Sequence, residues 1–211
     1  MARWSTIERR ARAEFGPLVV GIDEVGRGPL AGPVVACAIV MPPNQRAIAG
    51  VNDSKQLDAP TRERLAVRIR EQALAISLGA ASVREIDRIN IYHATVLAMR
   101  RAINRVPARL GEAPHHLLID GKPLRTLGIA HTAVVKGDSK CYAIACASIV
   151  VKVTRDRLMR SLAARYPGYA WDSNVGYGTL VHRAGIVEHG LTPHHRRSYC
   201  LGVQMALEGI L

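Results

Sequence analysis

Apolar residues in this chain come first in short continuous runs and then at helical spacing. Residues 18–23 form a run that reads as a buried strand, and residues 33–41 a second one, reached through a glycine-rich turn. Pro42-Pro43-Asn44 ends the second run. Asp58-Ala59-Pro60 predicts a helix start, with Asp58 as cap and proline in the first turn. That helix runs to about Ala73 with Leu65 and Ile69 inward, and residues 75–83 read as a third strand. Ile86, Ile89, Val96 and Ile103 keep helical spacing over a long segment that turns Arg100, Arg101 and Arg105 to solvent, until Pro107 stops it. Short strands at 116–120 and 131–135 precede a second long helix over 143–165, closed by Pro167-Gly168. From Tyr169 onward the pattern gives loops and one or two short helices. Strands clustered early, then alternating with helices, predict an α/β fold. Its mixed β-sheet is flanked by helices, with a small helical carboxyl-terminal part.

Composition adds a partner to this picture. Hydrophobic residues make up 48% of 211, enough for a sizeable core in one domain with a small appendage. Lys and Arg number 29 against 17 acids, a formal net charge of +12, and positive pairs recur at Arg9-Arg10, Arg100-Arg101 and Arg196-Arg197. Positive charge dispersed in this way suits a polyanion, nucleic acid above all. Cys37, Cys141, Cys146 and Cys200 show no zinc spacing and read as buried reduced thiols. The longest apolar runs are too short for a bilayer, and residues 1–15 lack the apolar core of a secretory signal. The expectation is a soluble, cytoplasmic protein.

Chemistry concentrates in Gly21-Ile22-Asp23-Glu24-Val25-Gly26-Arg27-Gly28-Pro29. Acids are rare at the end of an apolar strand, because a buried charge without a partner is costly. Asp23 and Glu24 stand there together, directly before a glycine-flanked arginine that can bring bare backbone and a guanidinium to a phosphate. Asp120-Gly121 repeats the pattern after Leu117-Leu118-Ile119. Carboxylates gathered from several strand ends repel one another unless a cation neutralises them, and Mg²⁺ or Mn²⁺ suits an all-oxygen set. Asp138 and Asp156 compete for a fourth place. Asp156, inside the long helix beside Arg155 and Arg157, fits an exposed ion pair. Asp138, in Lys136-Gly137-Asp138-Ser139, is preferred because its turn can aim it over the strand ends. His194-His195-Arg196-Arg197-Ser198 reads as a basic cluster contacting phosphate or as a solvated face. Gly176-Tyr177-Gly178-Thr179 holds a tyrosine free to stack on a sugar or base. On residues alone, a catalytic phosphodiesterase, a binding module with a structural cation and a small-molecule phosphatase all remain open.

Taken together, these segments resemble the bacterial ribonuclease HII family. The resemblance runs from Gly21 through Pro33, Asn52-Asp53-Ser54-Lys55, Glu85 to Ile91, Ile119-Asp120-Gly121 and Lys136-Gly137-Asp138. It continues through Ala147-Ser148-Ile149, Lys152 to Asp156, Gly176 to Thr179 and His195 to Ser198. It implies a ribonuclease H-like fold with residues 15–168 as the catalytic domain. Residues 169–211 form a helical and loop part aiding substrate binding, and residues 1–14 a basic extension. It implies an endoribonuclease that hydrolyses the RNA strand of RNA–DNA hybrids and incises 5′ of single ribonucleotides in duplex DNA. The products carry 3′-hydroxyl and 5′-phosphate ends, and the attacking water is activated by one or two Mg²⁺ or Mn²⁺ ions. Asp23, Glu24, Asp120 and Asp138 become the metal-holding catalytic acids. Gly26, Arg27, Gly28, Lys55, Ser148 and Tyr177 become substrate-binding residues, with Gly26 to Gly28 reading the ribose 2′-hydroxyl, the handle that separates RNA from DNA. The expected form is a monomer without a membrane partner. Where many members have lysine before the Gly-Tyr pair, this chain has Val175. Arg27 separates it from the sister group with Gly-Lys-Gly.

Overall fold

The computed structural model describes residues 5–200. Within them the chain forms a five-stranded mixed sheet with a long helix on each face. In chain order, α1 (Thr6–Phe15) precedes the hairpin strands β1 (Val19–Val25) and β2 (Val34–Val40), and α2 (Ala59–Gln72) leads into β3 (Ala75–Ala81). Then come α3 (Val83–Ile103), α4 (Val106–Leu110), β4 (His116–Asp120), β5 (Thr132–Val134) and the short α5 (Gly137–Lys140). The long α6 (Tyr142–Arg165), α7 (Trp171–Asn174) and α8 (Leu180–His189) complete it. A 3₁₀ turn at Ser54–Gln56 carries Lys55.

The sheet order is β3-β2-β1-β4-β5. β1, β2 and β3 pair antiparallel, whereas β4 joins β1 in parallel and β5 joins β4 in parallel. Alternation along the strands divides the core. Val20, Ile22, Ala36, Ala38 and Ile119 meet α3 through Ala94, Ala98, Met99 and Ala102. Val35, Cys37 and Ile39 meet α6 through Cys146, Ile149 and Val150, with Leu65 and Ile69 of α2 behind. Helix α6 lies so close to β1 that a Cβ on Gly21 would fall 2.3 Å from the Ala143 carbonyl carbon. Only glycine fits there, and the approach draws the helix across the sheet next to Asp23. A third cluster, with Met159, Leu162, Tyr169, Trp171 and Ile186, anchors the carboxyl-terminal part to the far half of α6.

Most predicted elements recur with ends shifted by one or two residues; Asp58 caps α2 through Thr61 N–H at 2.8 Å. Three expectations are corrected. Pro107 does not stop α3; the helix ends at Ile103 with Asn104 as cap, and Pro107 sits in the first turn of α4. Helix α3 is also broken at Asn90 (φ 62°, ψ 168°), whose side chain caps the second half through His93 N–H. Arg100, Arg101 and Arg105 do not simply face water. Each donates to backbone carbonyls, of Leu127 and Thr126, Ala80, and Leu78 respectively, and Arg101 also grips Glu85 at 2.6 Å. The part of the expected carboxyl-terminal segment at 201–211 and residues 1–4 lie outside the described residues. Among the described residues no helix is long and apolar enough to cross a membrane.

Candidate active site

Parallel pairing of β1 with β4 sets Ile22 opposite Ile119. One residue further, Asp23, two residues before β1 ends, and Asp120, the last residue of β4, stand at one level and on one face, the face covered by α6. Asp138 reaches the same place from α5, directly after β5, because Asp120 Oδ1 accepts the Gly137 N–H at 2.6 Å and pins that turn. Glu24 alternates to the α3 side. It still shares a 500 Å³ cavity with Asp120, Arg27, Tyr92 and Lys122. A second cavity of 470 Å³, on the other side, is bordered by Asp138, Asn52, Ser139 and Lys140.

The four acids repel one another. Burial pushes the Asp23 carboxyl well above the ordinary carboxylate range, and Glu24, Asp120 and Asp138 push in the same direction. Glu24 is also raised by burial and by Asp120, against the pull of Arg27 at 3.3 Å. Asp120 is raised by burial and Asp138, opposed by the Gly137 N–H and Lys55. Lys55 is itself held charged: burial works against it, but Asp138 at 3.4 Å outweighs that. One oxygen of the set, Glu24 Oε2, is buried with no hydrogen-bond partner. A crowd of partly buried carboxylates with an orphaned oxygen has the chemistry of a divalent-cation site. Among the described residues no three acid, histidine or cysteine side chains are yet drawn in to ligand spacing. The set is a rim of acids that a cation would gather.

Beside the acids lies the Gly26-Arg27-Gly28 turn. Gly26 takes φ +91°, and a Cβ there would strike the Arg155 side chain at 2.3 Å, so the position demands glycine. Gly28 faces Tyr177, whose ring lies 3.6 Å from where a Gly28 Cβ would stand and is 46% exposed. The Gly176 carbonyl accepts from Leu30 N–H at 2.8 Å, tying the tyrosine turn to this loop. Val175, before that turn, has φ 46°, a left-handed conformation unusual for a β-branched residue.

The residues behind the loop revise two expectations. His195 and Arg196 neither face phosphate nor form a solvated surface; both are buried, and only Arg197 and Ser198 of that cluster are exposed. Arg196 donates to the carbonyls of Gly26, Arg27 and Gly32, and Arg155, equally buried, to those of Ala31, Pro33 and Val175. Burial lowers the Arg155 guanidinium to about 10. His195 accepts the Thr192 N–H on Nδ1, so its proton sits on Nε2 and points at His182 Nε2, 3.0 Å away. His182 Nε2 also accepts the Trp171 N–H, which leaves its own proton on Nδ1 for the Tyr177 carbonyl at 2.9 Å. Burial holds both rings below the usual histidine range, His195 at about 4, consistent with neutral tautomers. Asp156 is not an exposed pair: it is buried and bound to Lys152 at 2.9 Å, away from the acid rim. Ser148 is buried under the site, and its hydroxyl bonds Ser54 at 2.7 Å beside Lys55.

The chain is similar to known proteins in sequence and in fold. The sequence pattern of the family described as Ribonuclease HII matches residues 20–201. A ribonuclease HII from Granulibacter bethesdensis is 51% identical over 200 residues, covering 93% of this chain and 90% of the relative. The ribonuclease H2 of Pyrococcus horikoshii superposes with a TM-score of 0.76 at 24% identity, over 90% of this chain and 98% of that one. Bst-RNase HIII, solved in complex with Mn²⁺, gives 0.73 at 21% identity, over 94% of this chain and 72% of that one.

Proposed function

The chain belongs to the ribonuclease HII family, and on that premise we propose how its residues divide the work. It is a ribonuclease H: an endonuclease that cleaves the RNA strand of RNA–DNA hybrids and cuts at single ribonucleotides. Enzymes of this family depend on a metal ion. The proposal is that Asp23, Glu24, Asp120 and Asp138 hold one or two Mg²⁺ or Mn²⁺ ions. The observation that carries it is the mutual repulsion of these carboxylates around the unpartnered Glu24 Oε2. A bound divalent cation would supply activated water and offset the negative charge that builds on the phosphodiester.

The remaining roles fall to the protein's own groups. Arg27, half-exposed and paired to Glu24, can swing its guanidinium to a phosphate oxygen without leaving the acid rim. Lys55 stands over Asp138 with its ammonium exposed and serves a second phosphate oxygen. Ser148 acts through Ser54, fixing the turn from which Lys55 projects. Gly26 to Gly28 read the ribose with bare backbone, and Tyr177 packs on the next sugar. In this reading residues 15–168 supply the acids, residues from 169 onward supply Tyr177, and Glu8 of α1 caps the start of α6. No protein partner is invoked; a monomer contains every group named.

The test is a DNA duplex carrying one ribonucleotide, incubated with Mg²⁺ or Mn²⁺ and with excess EDTA. A single cut 5′ of the ribonucleotide, leaving 3′-hydroxyl and 5′-phosphate ends and lost with EDTA, is expected. Asp120→Asn should reduce cutting at least ~1,000-fold while binding persists, the size of effect seen when preorganised charge stabilisation is removed. An intact duplex with both metals, or an Asp120→Asn variant that cuts normally, would overturn the assignment.

A further inference from the structure

The Gly26–Gly28 turn is shaped from behind by one side chain. Arg196 is wholly buried, and among the described residues no carboxylate lies within ion-pair distance of it. Its Nη1 donates to the Arg27 carbonyl at 2.9 Å, its Nη2 to the Gly26 carbonyl, and its Nε to the Gly32 carbonyl at 3.0 Å. The Tyr199 hydroxyl adds a second donor to the Arg27 carbonyl at 3.0 Å, and its ring lies 5.1 Å from the guanidinium carbon.

These bonds determine where the donors of the turn point. No described peptide bond is cis, and in a trans peptide the carbonyl of one residue and the N–H of the next point in opposite directions. Drawing the Gly26 and Arg27 carbonyls inward onto Arg196 therefore turns the Arg27 and Gly28 N–H groups outward. Neither N–H has an acceptor within the described protein. They emerge between Tyr177, packed beside Gly28, and the Arg27–Glu24 pair. Two aligned peptide dipoles backed by an unneutralised guanidinium make a small concavity with its positive ends outward, suited to an oxygen lone pair or a phosphate.

We propose that Arg196 is the positioning residue for ribose recognition: it holds the Arg27 and Gly28 N–H groups where the 2′-hydroxyl oxygen and the adjoining phosphate of a ribonucleotide accept from them. The proposal rests on the reading of Gly26–Gly28 as the ribose reader. Lysine in place of Arg196 keeps the charge but replaces a planar fork with one ammonium, which cannot hold three spread carbonyls in the same geometry.

The experiment measures affinity in an Asp120→Asn background for a duplex with one ribonucleotide and for the same duplex made wholly of DNA. The background protein should prefer the ribonucleotide. Arg196→Lys should cut that preference ~10-fold or more, the range for lost charge-assisted hydrogen bonds, with all-DNA affinity unchanged. Ile69→Ala, a core truncation on the buried face of α2, should lower the melting temperature and leave the preference intact, separating positioning from general instability. If Arg196→Lys does not fold, Tyr199→Phe decides, since it removes only one donor from the Arg27 carbonyl and should reduce the preference ~3-fold. A folded Arg196→Lys, or failing that Tyr199→Phe, that discriminates as well as the background overturns the proposal. Equal binding of the two duplexes by the background protein instead overturns the reading of Gly26–Gly28 itself.

Discussion

At Asp23 a negative charge meets burial, a neighbouring glutamate and two more aspartates, and only one hydrogen bond, from the Glu24 N–H at 2.8 Å, favours it. Its folded carboxyl therefore titrates above the unfolded one. A group raised in this way contributes stability that is complete below the ordinary carboxylate range and is lost as pH rises through its folded value. Without metal, the wild-type protein should lose stability from about pH 4 upward on this account. Asp23→Asn keeps the oxygen that accepts the Glu24 N–H and removes the charge. It should raise the metal-free melting temperature at pH 8 by about 2–4 °C and flatten its fall with pH, assuming roughly 1 kcal/mol is recovered. Thermal unfolding in chelator, wild type against variant, checks this; a variant that melts earlier would contradict it. Asp23, Glu24 and Asp120 were legible because an acid at the end of an apolar run is conspicuous. Arg196 was not. Two consecutive arginines look alike in sequence, and the carbonyls that select one for burial lie as many as 170 residues away.

Helix α6 has Cys141 at its N-cap position, with no side-chain cap of its own. Its first free N–H groups, those of Tyr142 and Ala143, are taken at 3.1 and 2.7 Å by the carboxylate of Glu8, buried on α1. A negative charge at a helix amino terminus is favoured by the dipole as well as by the hydrogen bonds. Glu8→Ala strands both N–H groups and should cost roughly 1–3 kcal/mol, a fall of about 3–10 °C in melting temperature, with Glu8→Gln between it and wild type. Melting followed by circular dichroism distinguishes these, and an unchanged Glu8→Ala would refute the capping role. Ser5 and Glu8 form a capping box at the start of α1, a helix absent from the sequence reading, and nothing local reveals that the same glutamate reaches a second helix. The break at Asn90 was hidden for the opposite reason. Apolar spacing continues across it because Ile86 and Met99, on either side, face the same core.

For the molecule as a whole, four of the 17 acids crowd into one rim while 29 Lys and Arg are spread along the chain. Binding to a hybrid should therefore release counterions. The plot of log affinity against log salt for Asp120→Asn should have a negative slope of magnitude about 3 or more, and a flat plot would exclude an electrostatic footprint of this kind. An α/β architecture was legible from strand and helix periods, but strand order was not. Asp23 and Asp120 meet because α3 carries the chain across the sheet to lay β4 parallel to β1, and no local pattern announces that crossover.

The grip of Arg196 on Gly26 also orders events in time. The turn that would recognise ribose is synthesised before the side chain that shapes it, which follows 170 residues later. Until residue 196 has been made, the acids of the site exist without the part that chooses what they cut. On the proposed reading of the turn, selectivity for ribose is long-range in sequence: the segment that carries the four acids does not contain the side chain that shapes their reader.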